Sequence, residues 1–445
     1  MILEDKFVNY KDKKDKIISY MKKGETNKEN FKIGIEMEHF SVDKESLISY
    51  DYFGENGVGD TLNKLKDIGF SEVSEEDGYI LGLREDDIAI NLEPAGQFEL
   101  AIDAKKYIRD LEDSYKKIAQ EIIPIYEKKG QYLTSLGYHP KSKIKDFEII
   151  PKDRYKYMQE YFKKFGGPRA LNMMRGTASV QTALDYESEE DFKVKFFVAN
   201  ALSPFIYTLY DNAYIFEGKP YEYKNLRQEI WELCDPQRTG VYEFSFDYDL
   251  SYGKYAEKIL NTDIIFINKD GQDVYKGDTK FKDIMDEDSS DEMIFHAMSI
   301  VFPDVRAKRY IEVRMPDAVP YPYNLSFPAL LKGLFYDEEN LKKLGEIFSD
   351  MTYEICQDIK KKTHKEGLFA KYKDKFIYEW LEDLIKMAKD GLDGDEKSYL
   401  DPIENLIKER ETLRDKFEKL YRKDPKEAIK RSSLNYALGG LDGQA

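Results

Sequence analysis

Ile33-Gly34-Ile35-Glu36-Met37-Glu38-His39-Phe40 alternates with a period of two, and its reading decides the fold. In an extended strand residues two apart share a face, so Glu36 and Glu38 point one way while Ile35 and Met37 point the other. Two distant segments repeat the pattern. In Asn91-Leu92-Glu93-Pro94-Ala95-Gly96-Gln97-Phe98-Glu99-Leu100, Gln97 and Glu99 oppose Phe98 and Leu100. In Tyr310-Ile311-Glu312-Val313-Arg314, Glu312 and Arg314 oppose Ile311 and Val313. Alternating charge also decorates ordinary solvent-facing strands, and the period alone names no reaction. If the three segments join in one sheet, however, its acidic face repels itself unless cations sit on it. Hard divalent cations with oxygen ligands suit such a face, Mg²⁺ bridging phosphates being the commonest case.

With 445 residues, 41% hydrophobic and 35% charged, the chain has the composition of a soluble globular protein. The 14% aromatic share favours strand-rich structure. A net charge of −17 argues against a general nucleic-acid binder, which needs a basic face. It also requires any site for an anionic substrate to concentrate arginine or metal locally. Cys234 and Cys356 have no metal-binding spacing, and so few cysteines suggest a reducing cytoplasm rather than a disulfide framework. Met1 to Lys23 lacks the apolar core of a signal peptide, and no stretch is apolar enough to span a membrane.

Periodicity predicts helices over 5–23, 60–68, 104–129 and 190–211, a strand pair over 78–102 broken by Pro94-Ala95-Gly96, and a strand over 177–186. Residues 338–430 read as helical and highly charged. The expected organisation is one unit over 1–445: a helical lead-in (1–30), a catalytic sheet region (31–335), a helical region (336–430) and a tail (431–445). Helices clustered apart from strand runs indicate an α+β class. P-loop and Rossmann glycine motifs are absent, and His39, His139, His296 and His364 are too scattered for a zinc motif.

Five runs, in order, carry a resemblance. They are Gly34 to Phe40, Leu92 to Leu100, Met173-Met174 through Thr177 and Gln181 to Tyr186, Asp235-Pro236-Gln237-Arg238-Thr239-Gly240, and Phe302 to Arg314. The set resembles the glutamate–cysteine ligases of the plant and proteobacterial type, within the glutamine-synthetase-like carboxylate–amine ligases. The family usually has Gly-Gly after the proline where this chain has Ala95-Gly96. It usually has arginine just before the Val-Gln strand's threonine, where this chain has Gly176, with Arg175 one place earlier. A one-residue shift on a strand reverses the face, so no substrate role is carried to Arg175.

The resemblance implies a curved, mainly antiparallel sheet forming a funnel-shaped site surrounded by helices. It implies ATP-dependent activation of the γ-carboxylate of glutamate, then attack by the amine of cysteine to give γ-glutamylcysteine, ADP and phosphate, the first step toward glutathione. Two or three Mg²⁺ are expected on Glu36, Glu38, Glu93, Glu99 and Glu312. Arg238 and Arg314 are expected to grip substrate carboxylate or transferring phosphate, because a guanidinium fork suits both. Gln181 supplies a polar contact, with a sheet-face hydrogen bond as the alternative. The partners implied are small molecules, without nucleic acid or membrane. Another amine acceptor, or a catalytically idle sensor on the same fold, are the competing readings.

Overall fold

The computed structural model describes residues 9–269 and 272–439, and a nine-stranded sheet organises them. Its strands are β1 (Ile33–Asp43), β2 (Ser71–Glu76), β3 (Tyr79–Glu85), β4 (Ile88–Leu92), β5 (Phe98–Lys105), β6 (Gln131–Thr134), β7 (Val180–Leu184), β8 (Val305–Ala307) and β9 (Ile311–Val313). They run β8–β9–β7–β1–β5–β4–β3–β2, with β6 paired to the end of β1. Each pairing is antiparallel. This is the α+β arrangement expected from the sequence.

Register carries the alternation from strand to strand. Ile35 and Met37 sit opposite Ile102 and Leu100, which sit opposite Ile88 and Ile90. All six are buried. Helices Ile108–Lys128 and Tyr323–Phe335 pack on the sheet. The first presents Leu111, Tyr115, Ile118, Ile122 and Tyr126 at helical spacing, and Asn324 of the second reaches Met37 Sδ at 3.1 Å. On the opposite face Glu38 lies opposite Glu99, and Glu99 opposite Asn91; one row along, Glu36 lies between Ala101 and Gln181. Glu312 adjoins Ala183 and faces Arg306. The acidic face is thus continuous across five strands, from β9 to β4.

Several elements differ from the sequence reading. The segment 78–102 holds three strands, because Asp86, with φ +48°, reverses the chain between β3 and β4. Pro94-Ala95-Gly96 does form the expected turn, in which Gly96 takes φ +83° and its N–H donates to Glu93 O. The helix over 190–211 is two, Glu189–Ala201 and Ser203–Leu209, with Pro204 in the first turn of the second. The first helix is seen over Tyr10–Lys22, and residues 5–8 of its expected span lie outside the described residues. Of the expected tail, Leu434–Leu438 is helical, and 440–445 lie outside the described residues.

The C-terminal helices brace the sheet by charge as well as packing. Lys360, fully buried on helix Tyr353–Glu366, donates to Asp304 Oδ2 at 2.7 Å and lies 3.1 Å from Glu232. Asp304 also accepts from Ser203 and Tyr207, and its carbonyl accepts the Arg314 N–H at 3.0 Å. Replacing Lys360 by Met leaves those acids uncompensated, so Lys360→Met is expected to lose about 3–5 kcal/mol in urea unfolding. An unchanged midpoint and slope would show that the network contributes no net stability.

Candidate active site

Two cavities open on the polar face of the sheet and share Glu36 and Gln181. The larger, about 420 Å³, has Glu38, Glu93 and Glu99 on one side and Arg306, Lys308 and Arg314 on the other. Arg154, Tyr155, Met158, Met173, Met174 and Trp231 help wall it from above. The smaller, about 350 Å³, is floored by Gly34, Ala89, Ala101 and Ala183, whose short side chains leave room above the strands, and is edged by Arg84, Tyr310 and Glu312.

Glu38, Glu93 and Glu99 each bring a carboxylate oxygen within 4.8 Å of the others. Glu93 arrives from the turn after β4, so the Pro94–Gly96 reversal is what folds it over the strand face. Gln97 secures that turn: its side chain accepts from Ala95 N and donates to Thr177 O. Glu38 is 8% exposed and accepts from Ser179 N at 2.8 Å and Gln181 Nε2 at 3.0 Å. Burial, then the charge of Glu93, pushes its carboxyl up to about 7. Glu99, 7% exposed, accepts from Asn91 Nδ2 at 2.9 Å. Burial, then Glu36, Glu93 and Glu38, raise it well above the carboxylate range. Burial and Glu312 raise Glu36 as well. Burial and mutual repulsion outweigh the cations that act on them, Arg227 and Arg314 on Glu38 and Lys308, Arg306 and Arg314 on Glu36. An all-oxygen set of converging carboxylates fits a hard divalent cation.

The other half of the site is its inverse. Glu312 accepts from Arg306 Nε at 2.6 Å, from Arg314 Nη1 at 3.0 Å and from Lys308 Nζ at 3.5 Å. Burial pushes its carboxyl up, but Arg306, Lys308 and Arg314 together outweigh this and hold it well below the usual range. Burial, then Arg306, presses Lys308 down to about 8. Gln181 spans the two halves: it donates to Glu38 while its Oε1 accepts from Arg314 Nη1. Of the five glutamates expected to hold two or three Mg²⁺, the structure brings Glu38, Glu93 and Glu99 together. In this structure Glu312 stands apart from the triad, inside a cage of cations.

Arg238 is not brought to the cavity. It is fully buried, with Nη2 donating to Asp263 O at 2.7 Å, Nε 3.2 Å from Asp235 Oδ2, and the guanidinium 4.8 Å from the Tyr161 ring centre. In this structure the fork faces protein on every side, and Arg238 does not line the cavity. Arg175 also turns away, donating to Ile144 O, Phe147 O and Gln159. A Cβ at Gly176 would stand 2.4 Å from the Tyr138 ring, which explains why this chain carries no side chain there. Arg306 and Lys308 went unassigned in the sequence, although Val305-Arg306-Ala307-Lys308 shows the same period as Glu312-x-Arg314. Arg154, Trp231 and Arg227 gave no periodic signal. His296 lines the cavity with Nε2 2.8 Å from Phe266 O, and burial lowers its proton affinity, so it is neutral near pH 7.

An antiparallel sheet with helices on its apolar face and the cavities on the other is the glutamine-synthetase-like fold expected from the sequence. Within that class the chain belongs to glutamate–cysteine ligase family 2, whose family model matches residues 32–434. A protein of Oryza sativa subsp. indica named glutamate–cysteine ligase A, chloroplastic, is 29% identical over 422 residues, covering 92% of this chain and 84% of that one. The glutamate–cysteine ligase of Arabidopsis thaliana, also chloroplastic, is 28% identical over 424 residues, covering 92% and 80%. The crystal structure of a Francisella tularensis glutamate–cysteine ligase in complex with AMP superposes with a TM-score of 0.52 at 13% identity, covering 92% of this chain and 89% of that one. That likeness is one of fold.

The raised carboxyls fix the sign of a pH effect. Glu38 and Glu99 keep protons in the folded protein at pH values where the unfolded chain, at about 4.3, has released them. Their contribution to stability is full below that value and is lost as pH rises through about 7 for Glu38. Buried His39 and His139 and half-buried His296 and His364 titrate in the opposite sense, so the signature is a difference between variants: from pH 5 to pH 8 metal-free wild type is expected to lose melting temperature relative to Glu38→Gln, and Mg²⁺ to restore it. A wild-type minus Glu38→Gln difference that stays constant across this window would contradict the charge assignment.

Proposed function

We propose that the protein couples ATP hydrolysis to joining the γ-carboxylate of L-glutamate to the amine of L-cysteine, forming γ-glutamylcysteine, ADP and phosphate. The observation that carries this reading is the abutment of a carboxylate triad, buried Glu38 and Glu99 with half-buried Glu93, and a buried cation cluster, Arg306, Lys308 and Arg314, linked by Gln181. Family membership supplies the reaction; the geometry suits it. A γ-glutamyl carboxylate attacking the γ-phosphorus of ATP concentrates negative charge on the transferring group. Phosphoryl transfer of this kind needs positioning and neutralisation more than a protein nucleophile.

Glu38, Glu93 and Glu99 would hold one Mg²⁺, and Glu36, one row along, could share a second; bound there, Mg²⁺ would supply charge neutralisation for the phosphate oxygens. Arg314 lines the larger cavity at the border of its acidic and basic halves, so it can meet the transferring phosphoryl group. Arg306 and Lys308 extend that positive field, and Glu312 keeps the three side chains ordered. The small-residue floor of the smaller cavity suits the flat body of the nucleotide, which would leave the larger one to glutamate and cysteine. There Met158, Met173, Met174 and Trp231 limit water, protecting an acyl phosphate from hydrolysis until the cysteine amine attacks its carbonyl carbon and phosphate departs. Both cysteines of the chain are buried free thiols, which suits the reducing cytoplasm in which we place the protein. Among the described residues no helix is long and apolar enough to cross a membrane.

Purified protein with ATP, Mg²⁺, glutamate and a panel of amino acids tests the reading. Cysteine is expected to give γ-glutamylcysteine and ADP in equal amounts, and Arg314→Ala to lower kcat on the order of 100-fold with little change in ATP affinity. Equal turnover with another amine would overturn the acceptor. No glutamate-dependent ADP release would overturn the reaction.

A further inference from the structure

Arg314 needs a fixed main chain if its guanidinium is to meet a phosphoryl group, and the structure shows what fixes it. Its N–H donates to Asp304 O at 3.0 Å. Its carbonyl accepts from Arg227 Nη1 at 2.9 Å, and the same nitrogen reaches Met315 O at 3.0 Å. One donor shared by two successive carbonyls sets the plane of the peptide between them. Arg227 lies on the short helix Leu226–Glu232, outside the cavity lining, and is 2% exposed. Its guanidinium stands 5.0 Å from the Trp231 ring centre, and that of Arg314 stands 5.6 Å from the same ring. Trp231 therefore contacts both arginines and lines the cavity.

Among the described residues no carboxylate comes within ion-pair distance of Arg227, and its Nε has no hydrogen-bond partner. A buried cation without a paired anion is costly. An apolar residue would fill the same space without that cost, so the retained charge and fork point to a task beyond packing. We propose that Arg227 is a positioning residue for the ligation, acting through the Arg314 peptide and the Trp231 ring. It holds the cation cluster in register with the carboxylate triad. The proposal takes its reaction from the function proposed above, but the hold on Trp231 stands without it.

Two measurements on the full chain test this. Replacing Trp380 by Phe leaves Trp231 as the one tryptophan. In that background Arg227→Gln is expected to red-shift the emission and raise acrylamide quenching, because the indole loses one of its two stacking partners. Unchanged emission and quenching would overturn the proposal whether or not the chain makes γ-glutamylcysteine. In steady-state assays Arg227→Gln should lower kcat on the order of 100-fold while the KM for ATP moves by less than about threefold. Arg227→Lys, which keeps the charge but not the fork, should lose about tenfold and serves both arms if the Gln variant does not fold. Combined with Arg314→Lys, the losses should fall short of their product, because both changes disturb one unit. A kcat per folded molecule equal to wild type, or losses that simply multiply, would reduce Arg227 to a structural brace.

Discussion

Repulsion among buried carboxylates is the constraint on which the rest of this structure depends. At 4.8 Å separation, two ionised groups in a medium of effective dielectric about 20 repel by on the order of 3 kcal/mol. Three such groups converge here, with a fourth, Glu36, one row away. A fold that retained them for structure alone would be better served by apolar side chains. The raised proton affinities of Glu38 and Glu99 state the same fact in another form.

The surrounding architecture keeps these charges in place. Five apolar side chains of helix Ile108–Lys128 help cover the other face and settle the register, because a one-residue slip would exchange the two faces. A single glutamine separates the acidic half from the basic half. Gln181 donates to one carboxylate and accepts from one guanidinium, a pairing that only an amide in one orientation satisfies. The cations in turn are held by their backbones. Asp304, steadied by Lys360 from the C-terminal helices, fixes the N–H side of Arg314, and Arg227 fixes its carbonyl side. Residues far along the chain thus reach the site through hydrogen bonds to the peptides on either side of one residue.

Much of this was legible because strand alternation is a local rule. Glu36, Glu38, Glu99, Glu312 and Arg314 all face the polar side as their period requires, and the antiparallel register then brings them onto one surface. Failures came where the answer lay in tertiary contacts. The guanidinium of Arg238 has the chemistry of a carboxylate grip, yet the loop that carries it is covered by Tyr161 and the Asp263 segment, and no sequence spacing reports that burial. The Asp86-Asp87 reversal lacks the glycine or asparagine that usually announces a two-residue hairpin, so β3 and β4 read as one strand. Arg306 and Lys308 were readable by the same alternation that marked Glu312. Arg227 was not, because a lone arginine on a seven-residue helix carries no periodic signal.

The central claim is that Glu38, Glu93 and Glu99 form a divalent-cation site on the sheet. Anomalous diffraction from crystals grown with Mn²⁺ in place of Mg²⁺, together with an ATP analogue, addresses it most directly. An anomalous peak within about 2.5 Å of an oxygen of each of the three carboxylates is the result this account predicts. A map with no peak there, and the three side chains bonded instead to one another or to protein donors, would contradict it.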